Sequence, residues 1–228
     1  MEETPNEQQP IKPIEVQQPV IFGTQRPNTP LKAWQELQAG NERFVKGVSL
    51  HPNQDSVRRQ DLSSGQEPHA LLLACSDSRL AAEIIFDAGL GDMFVIRTAG
   101  EVIGSTVLGS IEFAVEELHV PLIVVLGHNS CGAVTATVDA IESGNMPPGK
   151  IRELVEKITS SVLAARRLGN KTVDAAAIEH VKQTSNYIKE ESKIVLQALE
   201  AGKTGIVGAF YTLDEGKVEA CYYEGLDT

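Results

Sequence analysis

Two unbroken apolar runs constrain the fold of this chain more than any other feature of its sequence. Residues 69–74 read HALLLA, and residues 121–127 read PLIVVLG. A strand that is apolar at every position is covered on both faces, which is typical of a parallel sheet with helices on each side. The segment MFVIRTAG predicts another strand of the same kind, near residues 93–97.

Helical patterns alternate with these strands. Longer helices are expected over five segments, 30–47, 105–118, 131–143, 149–167 and 173–201. Thr29 is placed to cap the first of them, and the final segment TGIVGAFYTLDEGKVEACYY predicts a hairpin with DEG in its turn. We therefore predict one α/β domain over residues 29–228, with a central, mostly parallel β-sheet flanked by helices, a C-terminal hairpin and an N-terminal helical arm.

Charge and composition exclude two classes of partner. The net charge is −11 and the isoelectric point is about 4.9, so the clustered Lys and Arg that bind nucleic acid or anionic membranes are not expected. Residues 1–28 are rich in Pro, Gln and Glu, which predicts an extended or disordered arm. No leader is visible in this segment, so we expect a cytoplasmic protein, either free or in a cytosolic microcompartment.

Reactive side chains follow two of the predicted strands. Cys75 comes directly after the first apolar run, and His128 and Cys131 come directly after PLIVVLG. Ligand sites in open α/β sheets lie beyond the carboxyl ends of the strands, so these three side chains converge if the two strands are neighbours. Two thiolates and one imidazole suit Zn²⁺, and three protein ligands leave one position open, as in catalytic zinc sites.

Other interpretations of the same residues stay open on spacing alone. Cys75 can be a packed core thiol, which is the commoner role of a single cysteine at a strand end. It can also be a nucleophile with His128 as its base, although Cys131 then has no role. A redox pair is less favoured because Cys75 and Cys131 do not form a C-x-x-C motif.

Asp77 and Arg79 lie close behind Cys75 in the stretch CSDSR. They can form an ordinary ion pair in a turn, which contributes little to stability. Near a dication, Asp77 can instead orient a reacting oxygen while Arg79 keeps the carboxylate ionised, or Asp77 can move in as the fourth ligand and close the site.

The two motifs together identify a family resemblance. The sequence resembles the β-class carbonic anhydrases, because CSDSR matches their C-x-D-x-R element and His128-Asn129-Ser130-Cys131-Gly132 matches their H-x-x-C-G element. The resemblance implies one Zn²⁺ per chain held by Cys75, His128 and Cys131, with Asp77 and Arg79 as the catalytic orienting pair. It implies reversible hydration of CO₂ to bicarbonate and a proton, by attack of zinc-bound hydroxide.

The resemblance also implies a substrate pocket and an assembly. By family position, Gln66 offers its amide to a substrate oxygen, and Phe94, Ala99 and Phe113 line the apolar wall. Family members are built from dimers, so a homodimer or a higher homo-oligomer is expected. Leu72 stands where a Trp marks members with a second bicarbonate pocket. We therefore predict the open form, with Asp77 away from the metal, as the resting state near neutral and alkaline pH.

Two rival functions share these motifs. One is a related zinc hydrolase that acts on another small molecule, such as carbon disulfide. The other is a zinc- or bicarbonate-binding assembly subunit that has lost catalysis. The intact Asp77, Arg79 and Gln66 argue against the second rival, because a protein that only binds needs no pair to orient a nucleophile.

Overall fold

The computed structural model describes residues 26–226, and a five-stranded sheet lies at its centre. The strands are β1 (Ala70–Cys75), β2 (Met93–Thr98), β3 (Leu122–His128), β4 (Gly205–Thr212) and β5 (Lys217–Glu224). Their order across the sheet is β2-β1-β3-β4-β5, with only β5 antiparallel to its neighbour. The predicted α/β class, the mostly parallel sheet and the C-terminal hairpin are confirmed. The predicted arm, apart from residues 26–28, lies outside the described residues.

Eight α-helices surround this sheet in the described part of the chain. They are α1 (Pro30–Val45), α2 (Ser56–Asp61), α3 (Ala82–Ile85), α4 (Ser105–Glu116), α5 (Gly132–Ser143), α6 (Ile151–Arg167), α7 (Val173–Glu191) and α8 (Lys193–Glu200). Short 3₁₀ turns cover Leu62–Ser64 and Ala99–Glu101. The hydroxyl of Thr29 accepts a hydrogen bond from the Lys32 amide, so the predicted cap of α1 is confirmed.

Side chains alternate along each buried strand and fill two apolar layers. In β1, Leu72 and Ala74 face a layer that contains side chains of α1, α5 and α6. Leu71 and Leu73 face the opposite layer, which contains side chains of α4 and α8. Both faces of β1 and of its neighbour β3 are therefore covered, which explains why these two strands are apolar almost throughout.

The prediction of one helix over 173–201 is wrong, because Ser192 separates α7 from α8. Ser192 has a non-helical backbone, its hydroxyl accepts from the Val195 amide, and it donates to Glu112 at 2.7 Å. The polar stretch before β1 also contains the short helix α2, whose first turn is capped by the Asp55 carboxylate. Capping side chains therefore set both of these boundaries.

None of the helices in residues 26–226 is both long enough and apolar enough to cross a membrane.

Candidate metal centre

Cys75, His128 and Cys131 meet at the carboxyl edge of the sheet. Cys75 ends β1 and His128 ends the neighbouring strand β3, while Cys131 precedes the first residue of α5. One ligand atom from each residue lies within 4.8 Å of the other two, and the two sulfur atoms are 3.9 Å apart. All three side chains are buried. The predicted convergence of these residues is confirmed.

His128 presents one free ring nitrogen to this cluster. Its Nδ1 lies 2.8 Å from the Asn129 carbonyl oxygen, which can only accept, so Nδ1 carries the proton. Nε2 is buried and has no hydrogen-bond partner among the described residues. A buried acceptor without a partner is costly, and a metal ion would satisfy it.

The two thiols cannot ionise independently at this separation. The hydrogen bond between them lowers the pKa of Cys75 and raises the pKa of Cys131. A dication removes this conflict, because it favours both thiolates at once. Cys131 also lies at the N-terminus of the 12-residue helix α5, where the helix dipole favours negative charge. The donor set and its surroundings therefore fit a zinc ion.

Asp77 and Arg79 form a close ion pair beside the cluster. Arg79 donates from Nε to Oδ1 at 2.9 Å and from Nη2 to Oδ2 at 2.7 Å, and its backbone amide donates to Oδ1 at 3.0 Å. The Arg79 guanidinium holds the pKa of Asp77 far below its usual range. Arg97 fixes the same loop by donating to the carbonyl oxygens of Cys75 and Asp77, at 3.1 and 2.6 Å. The Asp77 carboxylate is thus ionised and turned toward Arg79.

The loop between His128 and Cys131 is held from two sides. Ser130 has a φ of 55°, a backbone angle that residues other than glycine rarely adopt. Its amide donates to the Asp174 carboxylate at 3.0 Å. The Asn129 carboxamide oxygen accepts from the Leu213 amide at 2.8 Å. These contacts keep His128 and Cys131 at a fixed separation.

A buried carboxyl group lies behind the two cysteines. Glu101 is 1% exposed, and its Oε2 has no hydrogen-bond partner in the described part of the chain. Burial, and to a lesser extent the nearby Cys75, raise the pKa of Glu101 well above its usual range. Burial therefore favours the neutral carboxylic acid, which adds no negative charge behind the thiolates.

Within one chain, three of the four residues predicted to contact substrate lie away from this cluster. Gln66 is exposed and precedes β1, so the length of that strand, roughly 17 Å, separates it from Cys75. Phe94 pairs with Leu71, four residues from the carboxyl edge of β2, which corresponds to roughly 13 Å. Phe113 contacts Phe94, with ring centroids 6.2 Å apart.

Ala99 differs from the other three because it lies next to the cluster. It opens the 3₁₀ turn after β2, and the following residue, Gly100, donates its amide to the Cys75 sulfur at 3.3 Å. The structure therefore brings together the three ligands, Asp77, Arg79 and Ala99, but not Gln66, Phe94 or Phe113.

Gly100, Asp174 and His180 support the site but were not identified from the sequence. Gly100 is visible in the sequence only as one of 19 glycines. Asp174 reads as an ordinary acidic residue in the first turn of a helix. His180 lies in the middle of α7, and a single histidine in a helix carries no local signal of its partners.

Comparisons with known proteins agree with this geometry. A family model described as carbonic anhydrase matches residues 70–218. A carbonic anhydrase of Mycolicibacterium smegmatis is 52% identical over 194 residues, which cover 85% of this chain and 94% of that protein. The structure of the β-carbonic anhydrase CcaA has 25% identity and a TM-score of 0.64, covering 82% of this chain and 86% of that one.

A further solved structure shares the fold at lower identity. It is one of two tetrameric β-carbonic anhydrases from Sordaria macrospora, with 20% identity and a TM-score of 0.65 over 82% of this chain and 95% of that one. The fold and the site thus define an α/β enzyme with a Cys-His-Cys cluster that can hold a metal at the carboxyl edge of a parallel sheet. The chain belongs to the carbonic anhydrase family, and within it to the β class.

Proposed function

We propose that this protein is a zinc enzyme that hydrates CO₂ reversibly to bicarbonate and a proton. The observation that carries the proposal is the convergence of Cys75, His128 and Cys131 beside an Asp77 carboxylate that Arg79 holds ionised. Two sulfur donors and one nitrogen donor match the ligand types and the ligand number of catalytic zinc sites.

The three ligands would hold the ion, and the neighbouring residues would direct the reaction. Zinc, when bound, would act as a Lewis acid that lets water ionise near neutral pH, which would supply a hydroxide nucleophile. The Asp77 carboxylate accepts a hydrogen bond from that nucleophile and turns a lone pair toward the CO₂ carbon. Arg79 keeps Asp77 charged and prevents it from rotating, because both of its carboxylate oxygens are held.

We also propose that the open form is the resting form. Each Asp77 oxygen accepts a hydrogen bond from the Arg79 side chain, and the Arg79 amide adds a third bond. Moving Asp77 onto the metal would break these charge-assisted bonds. Leu72 is fully buried in the core of the sheet, where it leaves no aromatic wall for a second bicarbonate pocket.

A second copy of the chain would complete the substrate pocket. Gln66 and Phe113 are exposed, and β2 lies at an edge of the sheet with one side unpaired in residues 26–226. In a homodimer, Gln66 and Phe113 can approach the metal cluster of the partner, although they are far from the cluster of their own chain. CO₂ is apolar, so Phe94, Ala99 and Phe113 suit its pocket wall, and the Gln66 amide can donate to a substrate oxygen.

The cytoplasm suits this chemistry. Cys75, Cys131 and Cys221 are all free thiols, and two of them must stay reduced to bind zinc.

Stopped-flow CO₂ hydration by zinc-loaded protein tests the proposal. In an Asp77→Asn variant, we expect kcat/KM to fall by about 10²-fold or more, because the amide cannot accept the bond as a carboxylate does. Zinc content should stay unchanged, since Asp77 is not a ligand in the open form. An Asp139→Asn variant, which alters an exposed carboxylate on α5, should keep full activity. Equal rates in the wild type and Asp77→Asn would remove Asp77 from the mechanism.

A further inference from the structure

His180 is a buried histidine that the proposed reaction does not use directly. It lies on α7 and is 4% exposed. Its Nε2 is 2.8 Å from the Gly100 carbonyl oxygen, and its Nδ1 is 3.0 Å from the Ser161 hydroxyl on α6. Both ring nitrogens therefore have partners on different elements of the fold.

The partners determine where the proton lies on the ring. A carbonyl oxygen can only accept, so Nε2 carries the hydrogen and donates it to Gly100. Burial lowers the pKa of His180, which favours the neutral ring and leaves Nδ1 as an acceptor. The Ser161 hydroxyl lies 3.0 Å from Nδ1 and 3.0 Å from the Gln183 Oε1, so its one hydrogen is shared between these two acceptors. The ring is thus held in one tautomer, with its donor aimed at the turn after β2.

Gly100 links this donor to the metal cluster. Its amide donates to the Cys75 sulfur at 3.3 Å, while its carbonyl accepts from His180. Its backbone is left-handed, with φ 65° and ψ 36°. A Cβ at this position would lie 2.8 Å from the Ala133 Cβ, so only glycine brings the amide this close to the sulfur.

The turn that contains Gly100 includes a residue with strained backbone. Glu101 follows with a φ of 40°, a region that residues other than glycine rarely adopt. The Thr98 hydroxyl closes the turn by donating to the Val102 carbonyl oxygen at 2.9 Å. Such strained backbone persists when surrounding contacts over-determine it. His180, on α7, supplies the side-chain hydrogen bond that holds the Gly100 carbonyl.

We propose that His180 is a positioning residue for the metal centre: it clamps Gly100 so that the Gly100 amide stays bonded to the Cys75 sulfur. An N–H bond to a thiolate withdraws electron density from the sulfur, which leaves a bound metal ion more electron-poor. The inference rests on the proposed function, because it assigns His180 a part in tuning that same site.

Two effects are expected when the clamp is removed. Cys75 becomes a stronger electron donor to the metal, so the midpoint of the pH–activity profile moves to higher pH. The ligand also becomes less well oriented, so metal affinity falls by roughly 10-fold.

The test uses the full chain loaded with Co²⁺, whose thiolate-to-metal charge-transfer band reports on the sulfur directly. His180→Leu removes the donor, whereas His180→Gln keeps an amide N–H close to the position of Nε2. We expect the leucine variant to shift the band, to move the pH midpoint upward and to release metal about 10-fold more readily to a chelator. The glutamine variant should stay close to wild type in all three measurements. Ser161→Ala, which keeps the donor to Gly100, should give a smaller shift than leucine.

The outcomes separate this inference from the proposed function. A folded His180→Leu protein with the charge-transfer band and pH midpoint of the wild type would refute the positioning role of His180. A His180→Gln variant whose band, pH midpoint and metal release change as much as those of His180→Leu would refute it too. If the leucine variant does not fold, His180→Asn replaces it, because its shorter amide does not reach the Nε2 position. A wild-type protein that binds Co²⁺ through sulfur but does not hydrate CO₂ would refute the proposed function alone. Absence of a sulfur band in wild type would refute both.

Discussion

The metal cluster and the residues predicted to bind substrate differ in how one chain places them. Cys75, His128 and Cys131 meet within 4.8 Å of one another, and Asp77 is already held by Arg79. Gln66, by contrast, lies beyond the opposite end of β1. The comparison shows that one chain brings the three candidate metal ligands together by itself. Under our proposal, the substrate pocket instead needs a second copy.

Removing a metal ligand should have the largest effect. In a Cys75→Ala variant, we expect zinc to fall from about one per chain to nearly none, and CO₂ hydration to be lost with it, because two ligands rarely retain a catalytic zinc. Elemental analysis and stopped-flow assays measure the two quantities.

Cys221 provides the matched control for that experiment. It is a half-buried thiol on β5, outside the metal cluster, and burial raises its pKa. Cys221→Ala should keep both its zinc and its activity. A loss of zinc in this variant equal to that of Cys75→Ala would contradict the assignment of the ligands.

Mixing two inactive variants tests where Gln66 acts. A Gln66→Ala subunit keeps its metal, and a Cys75→Ala subunit keeps its Gln66. If Gln66 serves the partner, a mixed dimer contains one intact site, so co-refolding equal amounts should restore about a quarter of wild-type activity. If Gln66 serves its own chain, no mixed dimer has an intact site and the activity of the mixture stays at the mean of its two parents.

Asp174 provides a test, with a smaller expected effect, of how the loop before Cys131 supports metal binding. Asp174→Ala removes the acceptor for the Ser130 amide, so the strained loop before Cys131 should relax. We expect metal affinity to fall by roughly 10-fold, measured by chelator competition. Asp139→Ala, which removes an exposed carboxylate of α5, should leave the affinity unchanged.

Much of this arrangement could be predicted from sequence because its signals are local. The apolar runs identify β1 and β3, and the motifs place Cys75, His128 and Cys131 at their ends. Asp77 and Arg79 are two residues apart, so their pairing needs no long-range information.

The features that were missed depend on contacts between distant parts of the chain. The break at Ser192 is held by Glu112, which is 80 residues away, so the apolar pattern of 173–201 reads as one helix. His180 and Gly100 are also 80 residues apart, and their contact exists only after α7 packs against the turn. Asp55 is different, because its capping of α2 was a local signal that could have been used.

The smallest expected effect is that of acid on the free energy of unfolding, and it acts through two buried histidines. Burial lowers the pKa of both His69 and His180. As pH falls below about 6.5, each of these histidines takes up a proton in the unfolded chain but not in the folded chain, which lowers the free energy of unfolding until the lowered folded-state values are reached. Glu101, whose pKa is raised by burial, holds its proton more tightly in the folded chain and offsets part of this loss. Each histidine contributes at most about 1.4 kcal/mol per pH unit.

Urea unfolding between pH 7 and pH 5 measures this dependence. The His180→Gln variant lacks one of the two contributions, so its free energy of unfolding should change less steeply with pH than that of the wild type. Identical slopes would show that folding does not lower the pKa of His180.

Zinc K-edge X-ray absorption on protein purified without added metal tests the central claim most directly. With Cys75, His128 and Cys131 as ligands and Asp77 turned away, we predict two sulfur atoms at about 2.3 Å, with one imidazole nitrogen and one further light atom at about 2.0 Å. A shell without sulfur, a shell with only one sulfur, or purified protein without zinc would contradict the account.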